Sequence, residues 1–485
     1  MDVLIIGAGV IGNAIARELS RFRIHVEVLE KEQDVGLETS CRNSGVVHSG
    51  INYAPGTLRA ELNVRGNALM DDLCRDLKVK LKRIGKLTVA LGKDDLPMLH
   101  KQHQQGLANG VPGMELLDRR AMEKIQPGIV GIMALWTPSS AILSPYGLTV
   151  ALAENAHANG VCYHLGEEVC GVQVHSTGGF DVITRTGKHF NTKVLINAAG
   201  LSSDTVSGMV GVKGFQIWPC RGEYYVLDKR LAGSLKTLVY PVPGPNDPGL
   251  GIHLTPTVDG NILIGPSADY FSDGAREDYR STAMVMEQLR REGQRFLSDL
   301  KVSDFIRSFA GNRPKRTPPE LGGNADFIIE VRPEIPGFIH LVGIESPGLT
   351  SSPAIAQKVR DMVRSYFPLE LREDFIAERP GIVGHFADLP EKMKAEFISQ
   401  DPRYGEVICR CEQVTQKEVM DAIENPLGSR SLVGLKYRAR VMMGRCQGGF
   451  CLPRITRILR DIYGYRPDDY FLRSDGSRLF SGNVR

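Results

Sequence analysis

Two close pairs of cysteines stand near one end of the chain. Cys409 and Cys411 form a C-x-C step, Cys446 and Cys451 a C-x4-C step, and 34 residues lie between the pairs. Four thiolates so placed can hold either Zn²⁺ or an iron–sulfur cluster. A C-x-C step is less usual for zinc, and the glycines around Cys446 and Cys451 permit the tight turns and N–H···S contacts that clusters favour. At the other end Gly7, Gly9 and Gly12 form G-x-G-x-x-G, with Glu30 following 18 residues after Gly12. Each residue has a job in holding a dinucleotide. Gly7 makes the tight turn, Gly9 lets the backbone approach a pyrophosphate, Gly12 packs helix against strand, and Glu30 accepts from an adenosine ribose. The motif alone does not separate FAD from NAD.

These residues need elements to position them. Apolar runs at 3–6 and 26–29 read as buried strands, with a helical pattern at 14–19 between them. A bound pyrophosphate would sit at the N-terminus of that helix, where free N–H groups and the dipole favour an anion. A further buried run at 194–198 ends in the small residues Ala199 and Gly200, and Gly348-Leu349-Thr350 is a glycine turn opening a helix that runs to about residue 365. Strand-like runs alternating with turns fill the intervals, as a mixed sheet would require. Scattered proline and glycine from 367 to 404 read as a connection. Thr415 with Glu418 three positions on is a capping box, predicting a helix over 417–423.

Composition bounds the function. Of 485 residues, 59 are Lys or Arg and 56 Asp or Glu, a formal charge of +3 with no concentrated basic excess, which argues against a nucleic-acid binder. The 52 glycines exceed the usual ~7% and belong to no repeat, as suits many close backbone approaches to a large cofactor. Nine unevenly placed cysteines argue against a secreted disulfide framework. No signal peptide or membrane span is evident, so a cytoplasmic location is expected.

The stretch from Glu38 to Tyr53 (ETSCRNSGVVHSGINY) resembles the second flavin-contact segment of the D-amino-acid-oxidase-like FAD superfamily. The branch it most resembles holds FAD-dependent glycerol-3-phosphate dehydrogenases and L-2-hydroxyglutarate dehydrogenases. The cysteine unit, with Val414-Thr415 and Cys446-Gln447-Gly448, resembles the bacterioferritin-associated-ferredoxin-like [2Fe–2S] module. The resemblance implies an α/β chain. A Rossmann-type FAD-binding domain (about 1–80, 145–215 and 325–366) carries a mixed-sheet substrate domain (about 81–144 and 216–324). A linker (367–404) then leads to a small, mainly helical cysteine-rich domain (405–485). It implies FAD contacts from Ser40, Arg42, Asn43, Ser44, Gly45 and Val46, from Ala199 and Gly200, and from Gly348, Leu349 and Thr350. Cys409, Cys411, Cys446 and Cys451 would hold a [2Fe–2S] cluster.

Oxidation of an alcohol by a flavin needs a base for the hydroxyl proton. His253, ahead of His48, is the expected base, and Tyr53 is expected to face the ring or the substrate. Arg313 is the expected anion anchor, since a guanidinium fork matches carboxylate or phosphate and substrates of this branch carry one or the other. Asn312 departs from the small or apolar residue usual before that arginine. The fused cysteine module favours sn-glycerol 3-phosphate as substrate, with L-2-hydroxyglutarate and an amino or imino acid as alternatives. Electrons would leave singly to an acceptor protein or partner subunit. A non-catalytic electron-transfer subunit is the reading from a different class.

Overall fold

The computed structural model describes residues 1–244, 251–271, 275–321, 325–380, 384–466, 468–474 and 476–480. The apolar strand Val3–Ile6 lies at the centre of a six-stranded sheet, fully paired with Val26–Glu30 on one side and Val194–Asn197 on the other, both parallel. Cys162–Leu165 extends the sheet beyond Val26–Glu30. Phe338–Val342 and the antiparallel edge strand Ile328–Val331 extend it the other way. The chain leaves Val3–Ile6 in one direction and finds Val194–Asn197 in the other, so a crevice opens at the carboxyl ends of these two strands. That switch point is where doubly wound sheets bind their ligands.

The helices Val10–Leu19, Pro145–Ala158 and Gly348–Val363 cover one face of the sheet, around Ile15, Leu19, Ala151, Ile355 and Val359. The helix Leu58–Asp76 packs across Gly348–Val363, and a Cβ at Gly66 would fall 2.1 Å from the Thr350 carbonyl. Helix Gly348–Val363 begins at the glycine turn itself and contains Pro353. Proline denies the Leu349 carbonyl its usual i→i−4 donor, and the Ser352 hydroxyl donates to that carbonyl instead at 3.0 Å.

The second large sheet is mixed, with order Asp269–Tyr270, Trp218–Leu227, Ile262–Gly265, His253–Pro256, Leu238–Pro241, Lys86–Ala90, Met133–Thr137, Glu115–Asp118, and Phe305–Lys315 also pairing with Trp218–Leu227. Leu238–Pro241 and Lys86–Ala90 run parallel, joining the two chain segments that build the sheet. The stretch after residue 366 holds the helix Glu391–Gln400, and its earlier part lies on the first domain, with Asn155 and Asn159 both donating to the Ile376 carbonyl.

The C-terminal unit packs helices Gln416–Ile423, Leu432–Ala439 and Cys451–Asp461 around Val419, Leu435, Val441 and Ile455. Thr415 caps the first with the reciprocal Glu418 contact of a capping box. Among the described residues no helix is long and apolar enough to cross a membrane.

Candidate active site and cysteine centre

A single cavity of about 760 Å³ runs from the glycine turn to the face of the mixed sheet. At its first end Gly7 has φ +103°, and a Cβ there would lie 2.6 Å from the Ala198 carbonyl across the switch point. A Cβ at Gly12 would lie 1.9 Å from the Gly7 carbonyl, so the helix can sit this close to the strand only as glycine. Gly9 precedes the helix, and the Val10 N–H donates to the Ser40 hydroxyl at 2.9 Å. The carboxylate of Glu30 accepts from the Ala8 and Glu32 N–H groups at 2.7 and 3.0 Å, which holds the turn, and burial pushes its pKa up.

Arg42, Asn43, Ser44, Val46, Ala199, Gly200, Gly348 and Leu349 all line this cavity. Arg42 lies over the Tyr279 ring at 4.1 Å. Gly12, Gly45 and Thr350 stand behind the wall. The Thr350 hydroxyl accepts from the His48 N–H at 3.0 Å, and Gly45, at φ +69°, donates its N–H to Asn43 Oδ1 at 2.9 Å. The residues present therefore fit a dinucleotide. The close approaches leave room for a pyrophosphate beside the helix N-terminus, and an acid stands at the ribose position.

The far end gathers His48, Tyr53, His253 and Arg313 with Tyr224 and Glu345, and with two residues the sequence did not single out, Arg59 and Tyr240. His253 Nδ1 lies 2.8 Å from the Gly251 carbonyl, so Nδ1 carries the proton and Nε2 is left as a lone pair. Nε2 is buried with no partner among the described residues. The Tyr240 ring stacks on the imidazole at 3.7 Å and 15°, fixing its plane. The His48 carbonyl accepts from both Asn63 and Asn67 at 2.9 Å, which fixes the backbone beneath the ring. Its Nε2 is 3.4 Å from the Ser346 hydroxyl, itself 3.2 Å from the Tyr53 hydroxyl. Burial, reinforced by the Lys86 cation, pushes both imidazoles down to about 3. Both are therefore neutral near pH 7 and present a ring lone pair rather than a charge.

Arg313 reaches the cavity across Gly222, where a Cβ would fall 2.6 Å from its guanidinium. Its guanidinium donates to the Ser267 carbonyl at 3.0 Å and approaches Cys220 Sγ at 3.7 Å, and no carboxylate pairs with it among the described residues. Asn312 faces away, donating to the Arg276 carbonyl at 2.7 Å. Glu345 is shared by Lys315 at 3.1 Å and Arg59 at 3.5 Å. Asp326 accepts from the Leu58 and Arg59 N–H groups.

Lys86 completes this end and was legible only as a lysine opening an otherwise apolar strand. It is 1% exposed, its ammonium lies 5.0 Å from the Tyr240 ring centre, and burial lowers its pKa to about 7. Arg59, Arg313 and Lys315 against Glu345 and Asp326 leave a surplus of one positive charge, which Lys86 raises to two when it is protonated. A lysine whose folded pKa falls below its unfolded value makes stability rise with pH between the two values, because only the unfolded chain binds the proton there. Lys86→Met is therefore expected to raise the melting temperature by about 2 °C or more below pH 7, the gain shrinking toward pH 10. Melting curves across that range check it, and a gain that grows with pH would contradict the assignment.

In the C-terminal unit Cys411 and Cys446 Sγ lie 3.5 Å apart, and the Cys409 and Cys451 thiols are hydrogen-bonded to each other. Backbone N–H groups converge on these sulfurs: Glu412 and Met442 on Cys409, Phe450 and Gly448 on Cys446, Met442 on Cys451. Positive φ at Gln413, Met442, Gln447 and Gly448 turns the loops inward. The Cys451 contact, backed by these amides, pulls Cys409 down to about 6. N–H donors focused on thiolates are the surroundings an iron–sulfur cluster needs, so this donor set fits one.

The unit is pinned to the rest of the chain by ion pairs. Arg438 reaches Asp34 and Glu154, Arg440 reaches Asp259, Arg445 reaches Asp228, and Lys229 reaches back to Glu412 of the unit. Tyr437 stacks on Tyr146 at 5.0 Å. The cysteine unit thus leans on both large sheets, close to the loop that carries Ser40 and Arg42.

Comparison with known proteins agrees with this geometry. Residues 2–362 match the FAD dependent oxidoreductase family, and residues 407–461 match the BFD-like [2Fe-2S] binding domain. A glycerol 3-phosphate dehydrogenase from Caloramator mitchellensis is 39% identical over 487 residues, covering 100% of this chain and 99% of that protein. The mitochondrial L-2-hydroxyglutarate dehydrogenase of Homo sapiens is 30% identical over 414 residues, 76% of this chain and 89% of that one. Among solved structures, dithionite-reduced L-alpha-glycerophosphate oxidase from Mycoplasma pneumoniae with FAD bound superposes with a TM-score of 0.72 at 30% identity, covering 79% of this chain and 99% of that one. With its glycine turn, its histidine-lined cavity and its cysteine module accounted for together, the chain belongs to the FAD dependent oxidoreductase family and carries a BFD-like [2Fe-2S] binding domain.

Proposed function

We propose that the chain oxidises sn-glycerol 3-phosphate to dihydroxyacetone phosphate and passes the electrons one at a time to a protein acceptor. The observation that carries this reading is Arg313, which no carboxylate pairs among the described residues, in a cavity end with a surplus of positive charge, which suits a phosphate dianion. FAD, when bound, supplies the hydride acceptor, and the [2Fe–2S] cluster a one-electron carrier. Arg313 holds the phosphate on its cavity-facing guanidinium edge, with Lys315, Arg59 and, when protonated, Lys86 adding attraction. His253 Nε2 takes the proton of the C2 hydroxyl as hydride leaves C2, and His48 stands as the second acceptor. Tyr53 and Ser346 hold the His48 ring.

L-2-hydroxyglutarate is also a dianion and is the second reading. The full-length glycerol 3-phosphate relative includes the cysteine unit, whereas the human hydroxyglutarate relative aligns over 76% of this chain, which favours the first.

Anaerobic titration of the flavin with sn-glycerol 3-phosphate, L-2-hydroxyglutarate and L-proline separates the readings. Bleaching by the first alone is expected, and no bleaching by any of the three would support a non-catalytic subunit. His253→Asn is expected to slow flavin reduction about 100-fold, the usual worth of a positioned base. Normal reduction in both His253→Asn and His48→Asn would place the base elsewhere.

A further inference from the structure

The cysteine unit treats its arginines in two ways. Those facing the rest of the chain, Arg438, Arg440 and Arg445, all have carboxylate partners. Three at the rim around the cysteines do not, although Arg460 and Arg466 elsewhere on the unit's surface pair with Asp461 and Asp469. Arg410, between Cys409 and Cys411 in the chain, is exposed, and its guanidinium lies 4.3 Å from the centre of the Phe450 ring. Arg454, in the first turn of the helix Cys451–Asp461, lies 4.5 Å from the same ring. Arg457 follows one turn later on the same helix and is exposed. Among the described residues no carboxylate lies within ion-pair distance of Arg410, Arg454 or Arg457.

This clasp stands at the cysteines. The Phe450 N–H donates to Cys446, so the ring projects from a residue bonded to a cluster sulfur. Cys411 and Cys446 are half-exposed while Cys409 and Cys451 are buried, so the rim is where the centre approaches solvent. Val407, 42% exposed, adds an apolar edge, and its carbonyl accepts from Arg454 at 3.4 Å. Two guanidinium groups gathered on one ring repel each other, and among the described residues no carboxylate pairs with either. An aromatic with arginines, fringed by apolar surface, is the composition of interface centres, and uncompensated positive charge selects an acidic partner.

We propose that the Arg410–Phe450–Arg454 clasp, extended by Arg457, is the docking site of an acidic one-electron carrier protein of the ferredoxin class. This rests on the dehydrogenase reading above. Each encounter takes one electron from the reduced cluster, whose iron is oxidised as the carrier's is reduced. Two encounters clear the two electrons of one substrate oxidation, and the two protons are released to solvent.

The test uses the full-length, flavin- and iron-loaded protein on a biosensor, with a purified acidic [2Fe–2S] ferredoxin as probe. Binding is expected to weaken at least 10-fold between about 20 and about 200 mM salt, as screening of exposed charges requires. Arg410→Glu with Arg454→Glu should weaken it at least 10-fold at the lower salt, with iron content and flavin bleaching by substrate unchanged. Arg457→Glu, away from the cysteines, should weaken it about 3-fold and serves if the double variant loads iron poorly. Wild-type affinity in Arg457→Glu together with either wild-type affinity in the double variant or poor iron loading in it, or equal binding of a basic cytochrome c, overturns the proposal. So does preferential capture of a DNA duplex or of anionic vesicles. Ferredoxin docking without substrate bleaching would leave the docking site standing and remove the dehydrogenase reading instead.

Discussion

Arg313→Met is expected to lower kcat/KM for sn-glycerol 3-phosphate about 1,000-fold while leaving the flavin in place. Charge-assisted hydrogen bonds contribute about 1.5–3 kcal/mol each, so two lost together from a buried fork remove about 4 kcal/mol, or three powers of ten in rate. Among the described residues the protein uses part of the fork, on the Ser267 carbonyl, Cys220 and the Tyr224 side chain. The rest is desolvated and opens on the cavity, the arrangement that gives a cation most grip on an incoming anion. Arg313→Lys keeps the charge but not the planar pair of donors and should recover about 10-fold of the loss. Stopped-flow flavin reduction over a range of substrate concentrations separates binding from hydride removal. Turnover of uncharged glycerol, however slow, should be equal in wild type and variant. A loss under about 10-fold would move the phosphate to Lys315 and Arg59.

Local constraints made the cofactor end legible. Gly7, Gly9 and Gly12 lie within one short turn, and the tightest of their contacts is made inside it, the 1.9 Å approach of a Gly12 Cβ to the Gly7 carbonyl. The same holds for Thr415 with Glu418, whose reciprocal bonds span three residues. The substrate end is built otherwise. His48, Lys86, His253, Arg313 and Glu345 come from five separate segments and meet only because the mixed sheet closes over the switch point. No spacing announces Arg59 or Glu345, whose meaning is each other's charge. Lys86 left one trace, a charge within a strand run, which is costly unless something uses it. The helix Glu391–Gln400 left none, since it buries no residue and so lacks the apolar stripe by which a helix is read.

Cys446→Ser should separate the two halves of the reaction. Flavin reduction by substrate is expected to stay within about 3-fold of wild type, because every side chain proposed to hold or deprotonate the substrate lies before residue 346 and none touches Cys446. Turnover with a one-electron acceptor is expected to fall at least about 100-fold. A serine hydroxyl is a poor ligand at neutral pH, and the Phe450 and Gly448 N–H groups are placed for a thiolate. Iron and acid-labile sulfide should fall together with the turnover. Unchanged acceptor turnover in a cluster-free variant would make the cysteine centre structural, and zinc without iron in the wild type would remove it from the electron path. The ion pairs of Arg438 and Arg440 should keep the unit seated in either case, since they connect helices and loops that do not depend on the cysteines. A lost turnover with intact seating therefore identifies the cluster itself, rather than the position of its domain, as the exit for electrons.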